Sequence, residues 1–275
     1  MKKNFISLLA IAAIAFGMAS CGGGTKQNTA ESVEQEAVIA GEVSKSLLTA
    51  ELKDEVARFV KDMPESDLPY KVSTGEVSVS VAETDFMLPV SKVSELNTQA
   101  QKARACGIYF MDLSVLRAMN KPTGEVESAL AKLATDLDIP FAIDIVKASA
   151  PAGASKEELG KFLKEQEAKL ADAMVDNDKV DIEIELLGGM SAEQAVIYAN
   201  PGLVIKGDAT SAGLSENMTN RLGTLGQIVS DLGQYYPDLA ELQETIAPLG
   251  ELVSSVGKAR ESKAQIEGIR AALLK

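Results

Sequence analysis

Asp112 is the carboxylate most out of place in this chain. On a helix its neighbours three and four residues away are Ile108, Tyr109, Val115 and Leu116, an apolar face. A carboxylate on such a face has to be hydrogen-bonded, ion-paired or protonated. Two roles suit it: a ligand-facing acid beside Tyr109 in a pocket between helices, or a brace against a neighbouring helix. A second acidic group, Asp176, Asp178, Asp181, Glu183 and Glu185, invites a calcium reading. An EF-hand series begun at Asp176 would place Val180 among the ligands and has no glycine at its sharp turn, so the spacing predicts a solvated helix end instead.

Other reaction motifs fail on their partners. Ser255 and Lys258 have the serine–lysine spacing of penicillin-recognising enzymes, but no Ser-Asp-Asn or Lys-Thr-Gly motif accompanies them. Gly202 and Gly207 have P-loop spacing, yet Asp208 stands where lysine is required. The sequence has no Gly-x-Ser-x-Gly elbow and no histidine, which removes triads, imidazole metal sites and the usual general base near neutral pH. Of the two cysteines, Cys106 lies in an apolar helical stretch and reads as an inert core thiol. No cofactor and no metal site is expected.

The other cysteine has a different setting. Lys2 and Lys3 precede an apolar run from Phe5 to Met18, and Ala19-Ser20-Cys21 follows. That run is too short to span a bilayer, which takes about 20 residues, and its flanks are those of a secretory signal. Gly17-Met18-Ala19-Ser20-Cys21 resembles a bacterial lipobox, with Met where Leu is commoner. The resemblance implies cleavage before Cys21 and acylation of its thiol, and several acyl chains hold a protein to a membrane firmly. Gly22 rather than Asp follows Cys21, and the first carboxylate is Glu31, so the expected address is the outer membrane, facing the periplasm. Residues 1–20 are then a cleaved signal peptide, 21–41 a Gly-, Thr-, Gln- and Glu-rich tether, and 42–275 a single helical domain.

The chain carries 27 Lys and Arg against 40 Asp and Glu, a net charge of −13. Loss of Lys2 and Lys3 makes the mature chain more negative still. That sign repels nucleic acid and anionic lipid head groups, so no nucleic-acid function is expected.

The elements that must hold these residues are helical. Val43, Leu47, Leu52, Val56, Phe59 and Met63 form one stripe that Pro64 ends. Val77, Val79 and Val81 alternate with polar residues, which leaves room for one short hairpin between residues 72 and 90. A long, nearly apolar helix from Leu96 to Met119 is expected at the centre. The next runs from Pro122 towards Pro140 on Val126, Leu130, Leu133 and Leu137, and a short helix follows from Phe141. Ser155 and Glu158 form a capping box for a helix with Leu159, Phe162, Leu163, Leu170 and Met174 inside. Val180–Leu186 alternates like a strand, but Val180, Ile184 and Leu187 also fit a helix, which Ala192–Ala199 continues and Asn200-Pro201-Gly202 ends. Further stripes run from Leu214 to Leu232 and from Leu239 to Val253, the latter bent at Pro248, and a last helix starts near Ser262. Gly188, Gly189, Gly223, Gly226 and Gly233 read as points of close helix packing or a kink rather than of backbone approach to a ligand. The fold class is all-α, a multi-helix bundle or layered array of about eight or nine helices.

The helix Gly107-Ile108-Tyr109-Phe110-Met111-Asp112-Leu113-Ser114 follows Leu96-Asn97-Thr98 and precedes a Leu-rich helix ending near Leu137-Asp138-Ile139. Over residues 95–200 this resembles a group of all-helical lipoproteins from Bacteroidetes-type bacteria. Those proteins carry Gly-aliphatic-Tyr and Asp-Leu-Ser on one helix and Gly-Gly-Trp with a nearby Glu on a later one. Here the later element reads Gly188-Gly189-Met190-Ser191-Ala192-Glu193, without the Trp and with the acid a residue late, so that part is not carried over. The resemblance implies a helical fold and an envelope address, and no activity.

Three functions follow as expectations. The first is a non-enzymatic, membrane-anchored envelope lipoprotein that binds a protein partner or acts as an accessory subunit. The second is a small-ligand-binding lipoprotein with a pocket near Tyr109 and Asp112. The third is an envelope hydrolase using two carboxylates in one cleft, at the separations of about 5–10 Å found in glycosidases.

Overall fold

Two central helices cross because each lacks a side chain where they meet. In the computed structural model, which describes residues 50–80, 87–233 and 235–275, these are α3 (Gln99–Ala118) and α7 (Val180–Ala199). A Cβ on Gly107 would lie 1.9 Å from the Leu186 carbonyl oxygen, and one on Gly189 would lie 1.9 Å from that of Arg104. Both helices are apolar around nearly their full circumference, which is the mark of a helix with no solvent face. Every residue of α7 from Ile182 to Ala199 is buried. Thr98 starts α3 through a capping box with Gln101, as Ser155 does with Glu158 for α6 (Lys156–Asp176).

Around this pair lie α1 (Ala50–Asp62), α2 (Asp67–Thr74), α4 (Gly124–Asp136), α5 (Phe141–Lys147) and α8 (Asp208–Leu232). The chain closes with α9 (Pro237–Ile246), α10 (Leu249–Leu252), α11 (Val256–Glu261) and α12 (Lys263–Ala272). The fold is all-α with layered helix packing. Helix α4 packs on α3, α12 lies along α7, and α2 sits on α6, where Gly160 lets Tyr70 and Ser73 approach. Three helices, α3, α4 and α6, end in one way. Asn120, Asp138 and Asp178 follow them in the left-handed region, at φ 55, 56 and 57°. Asn and Asp tolerate this conformation better than other side chains.

Several expectations are corrected. Val77–Val79 is a strand, β1, but among the described residues its partner does not come from within residues 72–90. The strand pairs antiparallel with β2 (Leu203–Ile205), Val77 opposite Ile205 and Val79 opposite Leu203. Local alternation identifies a strand but not its partner, and here the partner arrives after α7. The stretch from Leu239 to Val253 is two helices rather than one bent helix, with a break before Pro248. Residues 256–261 form an additional short helix, and Ser255 is its cap: its hydroxyl accepts the Lys258 backbone N–H at 3.2 Å. Lys258 itself pairs with Glu251 at 2.8 Å. Gly223 and Gly226 have open space where a Cβ would sit, so close packing does not explain them.

The expected signal peptide, tether and acylated Cys21, the stripe positions Val43 and Leu47, and strand position Val81 all lie outside the described residues. Among the described residues no helix is long and apolar enough to cross a membrane.

Candidate functional site

The chemistry-bearing side chains gather along α7. Three of its acids, Glu183, Glu185 and Glu193, sit in a mostly apolar helix, and each is within 4% of full burial. The expectation of a solvated acidic helix end therefore fails for Glu183 and Glu185, although Asp176 and Asp178 are exposed. Burying a carboxylate is costly unless a cation or a proton accompanies it. The fold supplies both, from elements distant in sequence.

Glu185 meets Arg104 of α3 in a two-pronged pair, Nε to Oε2 at 2.6 Å and Nη2 to Oε1 at 3.3 Å. Arg104 also donates to Glu241 and to the Asp238 carbonyl, both at 3.1 Å, and so joins α3, α7 and α9. Burial outweighs the guanidinium and, with Asp238 and Glu241 nearby, pushes the Glu185 carboxyl up to about 7. The folded chain thus holds this proton more tightly than the unfolded chain. Its stabilising contribution is complete below the ordinary value of 4.5 and is lost as pH rises through about 7. Asp112, Glu183 and Glu193 are raised as well. We therefore expect the melting temperature to fall between about pH 5 and about pH 8. Glu185→Gln should flatten that slope, as read by thermal denaturation across the range.

Glu183 lies near a second arginine. Arg221 of α8 donates Nη1 to Glu167 of α6 at 2.6 Å and to the Pro64 carbonyl, while Glu167 accepts the Ser66 N–H at 2.9 Å. Burial, with the Glu167 charge added, holds Glu183 well above the ordinary carboxylate range. Burial and Glu183 push the Cys106 thiol up to about 12. We expect Cys106 in a Cys21→Ser chain to resist a thiol reagent at neutral pH and to react fully once denatured.

Glu193 meets the third arginine. One nitrogen of Arg270, on α12, reaches both carboxylate oxygens at 3.0 and 2.9 Å. Asp112 is in hydrogen-bond contact with Glu193. Two carboxyl groups can meet that way only when one of them holds a proton. Burial and the Glu193 charge drive Asp112 upward, whereas Glu193 has Arg270 to hold its charge. The proton therefore sits on Asp112. Its other oxygen accepts the Leu88 N–H at 3.3 Å, and Tyr109, one turn earlier, donates to the Pro89 carbonyl at 2.8 Å. The two residues that the sequence singles out thus clasp adjacent backbone groups of one segment. Both are buried, and the backbone groups they bond belong to the protein itself.

Sequence reasoning missed Glu183, Glu185 and Glu193 as core residues, and it missed all three arginines. A signal was present: acids inside a helix that is apolar on every side. Among the described residues no cluster of His, Cys, Asp and Glu is placed to hold a metal ion. Comparison with protein-family models, with curated proteins and with solved structures finds no match to this chain.

Proposed function

We propose that this chain is a non-catalytic lipoprotein of a bacterial cell envelope, anchored through acylated Cys21 to the outer membrane. Its helical domain faces the periplasm and serves a protein partner as an accessory subunit. The observation that carries this reading is the junction Ala19-Ser20-Cys21 after a basic start and a short apolar run. The interior supports it. The buried arginines Arg104 and Arg221 and the partly buried Arg270 each tie one helix to another. These pairs join the helices of the domain to one another. Its surplus of acids suits a tethered protein that must stay in solution beside a membrane.

Two measurements test the reading. Cys21→Ser should move the protein from the membrane fraction to the soluble fraction, and wild-type protein recovered without detergent would refute the anchor. In-cell crosslinking of the tagged protein, followed by mass spectrometry, should return a stoichiometric envelope partner. Recovery of the protein alone would count against the accessory role.

A further inference from the structure

Residues 87–90 are tied to α3 by two polar side chains one turn apart. The Leu88 N–H donates to Asp112 at 3.3 Å, and the Tyr109 hydroxyl donates to the Pro89 carbonyl at 2.8 Å. Met87, Leu88 and Val90 are partly buried against the core, and Pro89 is exposed. Beneath them Tyr109, Asp112 and Glu193 are no more than 1% exposed. The chain then enters the 3-10 turn Val90–Glu95.

We propose that residues 87–90 form a proton-controlled strap. It stays closed while Asp112 and Glu193 share a proton, and it opens when that proton passes to water. Arg270 meets Glu193 with one nitrogen, at 3.0 and 2.9 Å, and Asp112 is in contact with the same carboxyl. Two carboxylates against one guanidinium would leave a buried negative charge without a counter-charge. The Leu88 N–H favours the charged form of Asp112, but one donor falls short of the hydration that a second charge needs. Water then has to reach the pair.

The packing decides where it enters. Helices α3 and α7 are locked together at Gly107 and Gly189, where backbone meets backbone. Arg270 holds α12 more tightly once the pair carries two charges. Residues 87–90 are only partly buried and rest on two side-chain bonds, so they yield first. The other groups around the pair do not relieve its charge. Burial, with Asp112, Glu193 and Glu95 of the 3-10 turn, raises the Tyr109 hydroxyl, so the phenol keeps its proton. Further along α3, Arg104 is taken by Glu185 and Arg117 by Glu127 at 3.0 Å. Burial and then the Glu193 charge raise Asp112, so the strap is closed on the acid side and opens as pH rises.

The test is amide hydrogen exchange of the full chain in detergent, followed by NMR between about pH 6 and about pH 9. Protection factors are compared, so that base catalysis of exchange cancels. Leu88 protection should fall as pH rises, by at most about tenfold per pH unit, the limit for one proton. Val196, buried in α7, should stay better protected and so report that the fold is intact. Asp112→Asn keeps a donor towards Glu193 and cannot ionise, so it should hold Leu88 protection flat. Tyr109→Phe loses the bond to Pro89 and should lower that protection at every pH while keeping the slope. Leu88 protection independent of pH in the wild type would overturn the proposal. So would an equal slope in folded Asp112→Asn, or Leu88 exchanging only together with Val196.

Discussion

Gly189→Ala will be among the most damaging single-methyl additions available in this chain. The new Cβ would lie 1.9 Å from the Arg104 carbonyl oxygen, and that oxygen belongs to the backbone of a buried helix. A flexible side-chain tip could move aside, but here α3 and α7 must separate, which opens gaps along the whole contact. We expect a loss of at least about 3 kcal/mol, equivalent to a melting temperature roughly 10 °C lower. Gly107→Ala should behave alike, because it meets the Leu186 carbonyl at the same distance. Gly223→Ala and Gly226→Ala are the controls. Nothing lies within 4 Å of their added methyl groups, and alanine in a helix is favoured over glycine by about 1 kcal/mol. These two should match the wild type or exceed it. Thermal denaturation of the four variants decides the matter, and a Gly189→Ala chain that melts with the wild type would remove the close crossing from the core.

Arg270→Met should cost about 3–5 kcal/mol, because it removes the cation from a buried carboxyl pair and leaves the charge of Glu193 uncompensated. Asp112→Asn should cost less than about 1 kcal/mol. The amide can donate to Glu193 as the protonated acid does, and its oxygen can still accept the Leu88 N–H. The contrast is the informative part. Urea unfolding of both variants at neutral pH measures it, and an Asp112→Asn loss as large as that of Arg270→Met would place the negative charge on Asp112 instead. The same pair explains how the C-terminal helix is held. Arg270 docks α12 onto α7, and Gln101 donates to the backbone carbonyl of Lys275 at 2.6 Å.

Much of the fold was legible because helix signals are local. The capping box at Ser155 and the stripe Leu130, Leu133 and Leu137 depend on residues three or four apart. The all-round apolar character of α3 announced its central place. Asp112 was legible as an anomaly for the same reason: a lone carboxylate on an apolar face stands out in a window of one turn. Its answer was not legible. Glu193 and Arg270 come from α7 and α12, and nothing near Asp112 marks them as partners. The acids at the start of α7 were misplaced by the same limit. Glu185, in a stretch that follows Asp176, Asp178 and Asp181, looks solvated until Arg104 arrives from α3. Gly188 and Gly189 signalled close packing, but Gly223 and Gly226 carry the same letter in open space, so composition could not separate them.

What the sequence determined by itself is the helical class, the positions of most helix ends, the acidic character of the chain and the expectation of an anchor at Cys21. These follow from short-range chemistry: periodicity, caps, breakers and charge. What only the tertiary structure decided is which helix meets which, where the strand at Val77 finds its partner, and which of 40 acids are buried. Those depend on groups brought together from distant parts of the chain. A buried charge is defined by its counter-charge, and the sequence does not say from which helix that will come.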